Sequence, residues 1–242
     1  MSYIFREHIK QSLAVIAFLI TLTACTSESY DAGDGPNSYL TADLVLLHTS
    51  QDKSVRSALL DDGTTLQFSN PFAQDWLTRP DSVYRALLYY DKTVAASDAA
   101  ASNPMATSIV RARSVRPVSV LRPVEAEDME TLRTDPVGFE SLWMSKNGSY
   151  INLSLLLKSG KTEADYALHA LGIVSHGTTT DADRRRTLHL TLYHDQGGVP
   201  AYYTVQQYVS IPTQLLEEAD TIELTINTYN GKKVMKVAVS NL

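Results

Sequence analysis

The chain is short of cysteine, of long apolar runs, of basic charge and of helical periodicity, and each shortage closes a line of interpretation. Cys25 is the single cysteine in 242 residues, so no disulfide can form within one chain. No uncharged apolar stretch reaches the roughly 20 residues a membrane-spanning helix needs; the run from Gln11 to Ala24 has only fourteen. Lys and Arg total 21 against 27 Asp and Glu, a formal charge of −6. Nucleic-acid affinity rests on Lys and Arg neutralising phosphates, so nucleic acid is not an expected partner. The catalytic signatures are missing too. There is no His-Glu-x-x-His element and no phosphate-cradling glycine loop, and Gly172-Ile173-Val174-Ser175-His176-Gly177 has one residue too many for Gly-x-Ser-x-Gly. What remains is 44% hydrophobic and 8% aromatic, a globular composition.

The N-terminus carries the clearest positive signal. Arg6 and Lys10 precede the apolar run, which is the layout of a secretory signal peptide. The run ends in Leu22-Thr23-Ala24-Cys25, which resembles the lipobox of bacterial lipoproteins. That resemblance implies cleavage after residue 24 and a diacylglyceryl and acyl anchor on Cys25, hence a membrane partner reached through lipid alone. The mature chain, 242 residues less 24, has 218 residues; loss of Arg6, Lys10 and Glu7 leaves its charge at −7. With Cys25 acylated, no thiol is left for catalysis or metal binding, and stability must come from an ordinary core, for which the length is ample. Residues 25–37 are polar and bear Gly33, Gly35 and Pro36, the composition of a flexible tether. Thr26 at the position after the cysteine is unlike the Asp that retains lipoproteins in an inner membrane. The expected location is therefore the outer membrane of a Gram-negative envelope, with its periplasmic or surface-facing side left open.

Beyond the tether, strand-like runs recur between turn residues. Tyr39–Thr49, Ser54–Leu60, Thr64–Phe68, Ser82–Tyr90 and Thr107–Leu121 give five strands, and Asp62-Gly63 marks a hairpin between the second and third. Five short strands with one long connection suit an OB-like barrel over residues 38–123, since closure removes exposed edges. An acidic stretch from Pro123 to Pro136, loop-like or briefly helical, marks the boundary. Seven more strands follow: Phe139–Met144, Tyr150–Leu157, Tyr166–Val174, Leu188–Tyr193, Tyr202–Tyr208, Thr221–Thr228 and Lys233–Val239. That spacing reads as a β-sandwich over residues 124–242. A single helical turn is expected at Leu215–Ala219.

Several of these segments carry a family likeness in their order and spacing. Asp61-Asp62-Gly63-Thr64-Thr65-Leu66 and Ser82-Val83-Tyr84-Arg85-Ala86-Leu87-Leu88-Tyr89-Tyr90 lie in the first domain. Asp135-Pro136-Val137, Leu142-Trp143-Met144, Tyr150-Ile151-Asn152-Leu153, Tyr166-Ala167-Leu168-His169 and Leu190-Thr191-Leu192-Tyr193-His194 lie in the second. Together with the lipobox, the chain resembles the NigD-like lipoproteins over nearly all of its mature length. The resemblance implies the same fold, an OB-like barrel followed by a β-sandwich, and a bacteriocin-immunity association without a mechanism. The run Ala95–Ala101 departs from that pattern.

Among candidate functional residues, tyrosine stands out, with 13 in the chain. Tyr202, Tyr203 and Tyr208 in one strand form the candidate ligand surface, since exposed Tyr rings stack on sugars or peptide side chains; β-propensity and core filling explain the same residues without a ligand. The mature histidines are His48, His169, His176, His189 and His194. His189 and His194, five apart on a strand, face opposite sides, while His169 and His189 sit where adjacent strands would pair them. Two ligands do not close a zinc site, so neither a metal nor a cofactor is expected. Arg111, Arg113 and Arg116, and Arg184–Arg186, read as solvated faces or anion-binding rims. The reading is a non-catalytic, lipid-anchored binding or interaction module with a protein or glycan partner. The competing reading is an envelope hydrolase, metal- or acid/base-dependent, and it requires the histidines to converge on one cleft.

Overall fold

The computed structural model describes residues 40–92, 108–161, 169–216 and 219–239. The signal peptide, Leu22, Thr23, Ala24 and Cys25 of the lipobox, the tether, the run Ala95–Ala101 and Tyr166–Leu168 lie outside the described residues.

Five strands close the first barrel: β1 (Leu40–Thr49), β2 (Val55–Leu60), β3 (Thr65–Phe72), β4 (Val83–Lys92) and β5 (Ser108–Pro117). Their order is β1-β2-β3-β5-β4, with β1 returning antiparallel onto β4 from Leu40↔Asp91 to His48↔Val83 and β3 pairing parallel with β5. This is the closed five-stranded, OB-like arrangement the strand count implied. Asp61 to Thr64 make the β2–β3 turn, where Gly63 takes φ +88°, a value glycine adopts without steric cost. The continuous apolar runs in β1 and β4 reflect burial on both faces. Val45, Leu47, Ala86, Leu88 and Tyr90 point into the barrel, whereas Leu44 and Leu87 point outward and are covered by the sandwich.

The sandwich begins earlier than the acidic boundary suggested. β6 (Ser119–Val120) pairs parallel with β12 (Tyr203–Pro212), and β7 (Pro123–Glu125) pairs parallel with β10 (Ala170–Thr180). The expected long fifth barrel strand therefore ends at Pro117, and the residues after it supply an edge to each sheet of the next domain. A short 3-10 turn at Ala126–Asp128 follows. The remaining strands are β8 (Gly138–Met144), β9 (Tyr150–Ser159), β11 (Arg186–Asp195), β13 (Thr221–Thr228) and β14 (Gly231–Ala238). One sheet runs β14-β13-β11-β10-β7 and the other β6-β12-β9-β8. Their inner faces form a core of alternating residues such as Leu153, Leu155, Leu190, Leu192, Ile222 and Leu224, each 3% exposed or less. The helical turn expected at Leu215–Ala219 rests on Glu217 and Glu218, which lie outside the described residues; a 3-10 turn occupies Thr213–Leu215. Pro212 precedes it and presets the extended entry to that turn.

β9 explains how the two domains meet. Ile151, Leu153 and Leu155 face the sandwich core, yet the intervening Asn152 and Ser154 are also buried, at 0% and 2% exposure. Their face of the sheet is covered by the barrel, and residues 40–242 form one compact unit.

Candidate functional site

The floor of the junction is built around one arginine. On β4, Arg85 shares the outward parity of Leu87 and Tyr89, and its side chain is 1% exposed. Its guanidinium donates to both oxygens of Asp61, at 2.5 and 2.7 Å, and to Asn152 Oδ1 at 3.0 Å. Its Nε donates to Ser210 Oγ at 3.1 Å, and Ser210 in turn donates to Asn152 Oδ1 at 2.7 Å. The ring of Tyr150 lies 4.3 Å beneath the guanidinium carbon. A planar cation with five fixed donors is thus answered by a bidentate carboxylate, an amide, a hydroxyl and a π face. The β8–β9 turn locks onto the same corner, because the Asn147 amide donates to the Asp61 carbonyl at 2.7 Å.

Next to this network, and sharing Asp61 with it, a cleft of about 350 Å³ opens between barrel and sandwich. Trp143 from β8, Tyr208 from β12 and Tyr89 from β4 supply its aromatic wall; Asp43, Asp62 and Lys146 supply its polar wall. Trp143 stands edge-to-face on Tyr208, with centroids 6.3 Å apart and planes at 82°. Asp62 accepts from the Thr64 amide at 2.9 Å, and that bond holds its carboxyl below the usual carboxylate range, with Lys146 adding to the effect. Asp43 accepts from the Tyr90 hydroxyl at 2.8 Å; burial, then this carboxylate, push the Tyr90 phenol well above its ordinary value. Arg116 donates to the Tyr89 hydroxyl at 3.1 Å and lies 5.7 Å from its ring.

The three tyrosines expected to form one surface are divided. Tyr208 turns into the cleft, whereas Tyr202 and Tyr203 are 78% and 51% exposed at the far end of β12. Tyr203 and Tyr208 differ by five positions and so point to opposite faces of the sheet.

Residues 120–239 match the family model described as the NigD-like C-terminal β-sandwich domain. The second domain belongs to that family. In fold, the chain is similar to a NigD-like immunity protein from Bacteroides caccae, at 22% identity and TM-score 0.60, covering 81% of this chain and 91% of the other. A protein of unknown function from Bacteroides vulgatus matches at 17% identity and TM-score 0.56, covering 82% and 90%. A candidate lipoprotein from Bacteroides fragilis matches at 14% identity and TM-score 0.57, covering 84% and 98%. No curated protein matches the sequence.

Within the NigD-like sandwich the histidines separate into two groups. His169 pairs with His194, not with His189: His169 Nδ1 lies 2.9 Å from His194 Nε2, and the rings stack 5.1 Å apart. The Asp135 carbonyl, 2.9 Å from His194 Nδ1, can only accept, which places the His194 proton on Nδ1 and makes its Nε2 the acceptor from His169. Burial, then the proximity of His194, lower the pKa of His169, while the Lys158 carbonyl acts against this. His189 lies on the outer face of the five-stranded sheet, its Nδ1 3.2 Å from Glu223 and its Nε2 2.8 Å from Thr179 Oγ1. His176 contacts Thr191 at 2.9 Å. Among the described residues no three His, Cys, Asp or Glu side chains gather as metal ligands. Of the arginine groups, Arg113 pairs with Asp91 and Arg186 with Asp220.

Sequence reasoning missed Arg85, Asp61, Asn152 and Trp143 as partners in one place. One signal was present in the chain, since Arg85 is the single charge in the apolar run from Val83 to Tyr90.

Proposed function

We propose that this chain is a lipid-tethered envelope protein that acts by binding, with the cleft between barrel and sandwich as its recognition site. The observation that carries this reading is the cleft itself: aromatic rings and charged groups converge on a concavity whose lining includes Asp61, the carboxylate held by Arg85. Small-ligand sites have this character, a largely preformed hollow with apolar walls and a few placed polar groups. The tether reading draws on the lipobox at Leu22–Cys25 and on the similarity in fold to the candidate lipoprotein from Bacteroides fragilis. The immunity protein from Bacteroides caccae lends the binding a protective form, interception of a toxic molecule at the envelope.

Three experiments test the parts separately. Cys25→Ala is expected to move the protein from the membrane to the soluble fraction, and retention in the membrane overturns the lipid anchor. Protease shaving of intact cells then assigns the side, because loss of the protein without lysis places it outside. For the cleft, Trp143→Ala is expected to abolish whatever protection or ligand capture the wild-type gene confers, and unaltered function places recognition elsewhere. The hydrolytic alternative rests on the order Thr179, His189, Glu223, a hydroxyl, a base and its orienting carboxylate. These sit on a sheet face, and ester-cleaving activity lost in both Thr179→Ala and His189→Ala would favour catalysis over binding.

A further inference from the structure

We propose that the barrel–sandwich cleft takes a neutral sugar ring; this rests on the binding reading above and narrows it to a ligand class. The wall is of two kinds, and a pyranose presents the complementary pair. Its C–H face packs on an aromatic ring, and its rim of hydroxyls both donates and accepts. Trp143 is held edge-on by Tyr208 while 36% of it stays exposed, so the indole keeps one orientation and still offers surface. Asp43 and Asp62 accept hydrogen bonds, and Lys146, with 81% of its side chain exposed, donates them. The volume, about 350 Å³, lies near the lower end of the range of about 300–1,000 Å³ typical of small-ligand sites. It admits one or two sugar rings rather than a folded peptide.

The charges exclude the nearest competitors. A cationic ligand would seek the aromatic faces and the carboxylates, but the protein's own cations already stand at Tyr89, Asp62 and Asp61. Arg116 lies over Tyr89, Lys146 is 3.8 Å from Asp62, and Arg85 engages both oxygens of Asp61. An acidic sugar would bring a carboxylate against Asp43 and Asp62, where Lys146 is the one cation among the cleft's lining residues, a like-charge arrangement that costs affinity. A neutral polyol meets neither objection. A further cleft, about 390 Å³ beside β7 and β10, has Glu125 as the one charged group and no aromatic ring among its described lining residues, so it lacks the stacking half of such a site.

The test uses the full-length protein purified in detergent. It is screened on an array of neutral glycans, with a digalacturonate and a tri-lysine peptide as charged probes, and positives are titrated by calorimetry. The expected result is saturable binding of at least one neutral glycan, weakened tenfold or more by Trp143→Ala and unchanged by Tyr202→Ala. Lys146→Ala, an exposed substitution that leaves the fold intact, is expected to weaken it at least threefold, and the digalacturonate to bind at least tenfold less tightly. Tri-lysine binding that depends on Trp143, with no neutral glycan bound, overturns the sugar class and leaves the cleft as the binding site. Glycan binding indifferent to both Trp143→Ala and Lys146→Ala overturns the cleft as well. No saturable binding across the neutral array overturns the proposal.

Discussion

Burying a guanidinium costs several kcal/mol unless its donors are answered, and removing one partner of a buried pair is worse than never having had the pair. Arg85 is answered by Asp61, Asn152, Ser210 and the Tyr150 ring. Arg85→Ala therefore leaves the Asp61 carboxylate without its cation, with the Asn152 amide, which donates to it at 3.3 Å, as a remaining partner. The expected loss is about 3 kcal/mol, toward the lower end of the range for broken buried pairs because 19% of the Asp61 side chain remains exposed. Denaturant unfolding measures it, and a loss below about 1 kcal/mol would mean the network is replaceable by water. Asn152→Ala removes the amide that joins Arg85 to Ser210 and is expected to cost less, about 1–3 kcal/mol. Of this constellation, only the oddity of Arg85 could be read from the chain. Asp61, Asn152 and Ser210 are separated from it by 24, 67 and 125 positions, and no local pattern reports which face of a strand will meet another domain.

At the level of strands, sequence patterns were a good guide wherever one face was wet. Alternation in Leu188–Tyr193 and turn residues such as Asp62-Gly63 and Asn230-Gly231 locate β11 and two hairpins because their causes are local. The failures fall where packing decides. Ser119–Val120 and Pro123–Glu125 are too short to show any period and become strands only because β12 and β10 offer them an edge. His169 meets His194 because β10 and β11 align Ala170 with Asp195 and Leu171 with His194, which sets the residue just before β10 beside the end of β11, a register that composition does not specify. His169 has a testable titration. Its pKa is lowered by burial and then by the proximity of His194, so the folded chain binds this proton more weakly than the unfolded chain, whose value is the ordinary 6.5. Stability is fully present above that value and declines as pH falls from it toward the lowered folded pKa. His169→Gln is expected to flatten this part of the stability–pH curve, and an unchanged slope would assign it to other groups. β8 offers a steric test. A Cβ on Gly138 would stand 2.7 Å from Leu156 Cβ, an atom fixed to the backbone of β9. Gly138→Ala is expected to cost about 1–3 kcal/mol through forced displacement of that strand pair. Thermal unfolding reads the change, and a neutral result would show that the pair yields freely.

For the whole molecule, barrel and sandwich share buried groups: Leu44, Leu87 and Val118 with Tyr208 on one side of the junction, Arg85 with Asn152 on the other. Residues 40–242 are expected to unfold in a single calorimetric transition, with calorimetric and van't Hoff enthalpies in agreement. Leu87→Asp is expected to split this into two, because it places an unpaired charge in the apolar half of the junction. Two transitions in the wild type would show the domains to be energetically independent. The passage through Ser119–Glu125 has a further consequence, in time rather than in energy. Those residues emerge from a ribosome or a translocation channel well before Tyr203–Pro212, with which Ser119–Val120 must pair. The barrel's strands are complete by Pro117, so it can close early, while the four-stranded sheet waits for a partner more than eighty residues downstream. Pairings over such separations form slowly. A nascent chain halted before β12 would thus carry a finished barrel and an open sheet edge, and for that interval the protein is a substrate for chaperones and proteases.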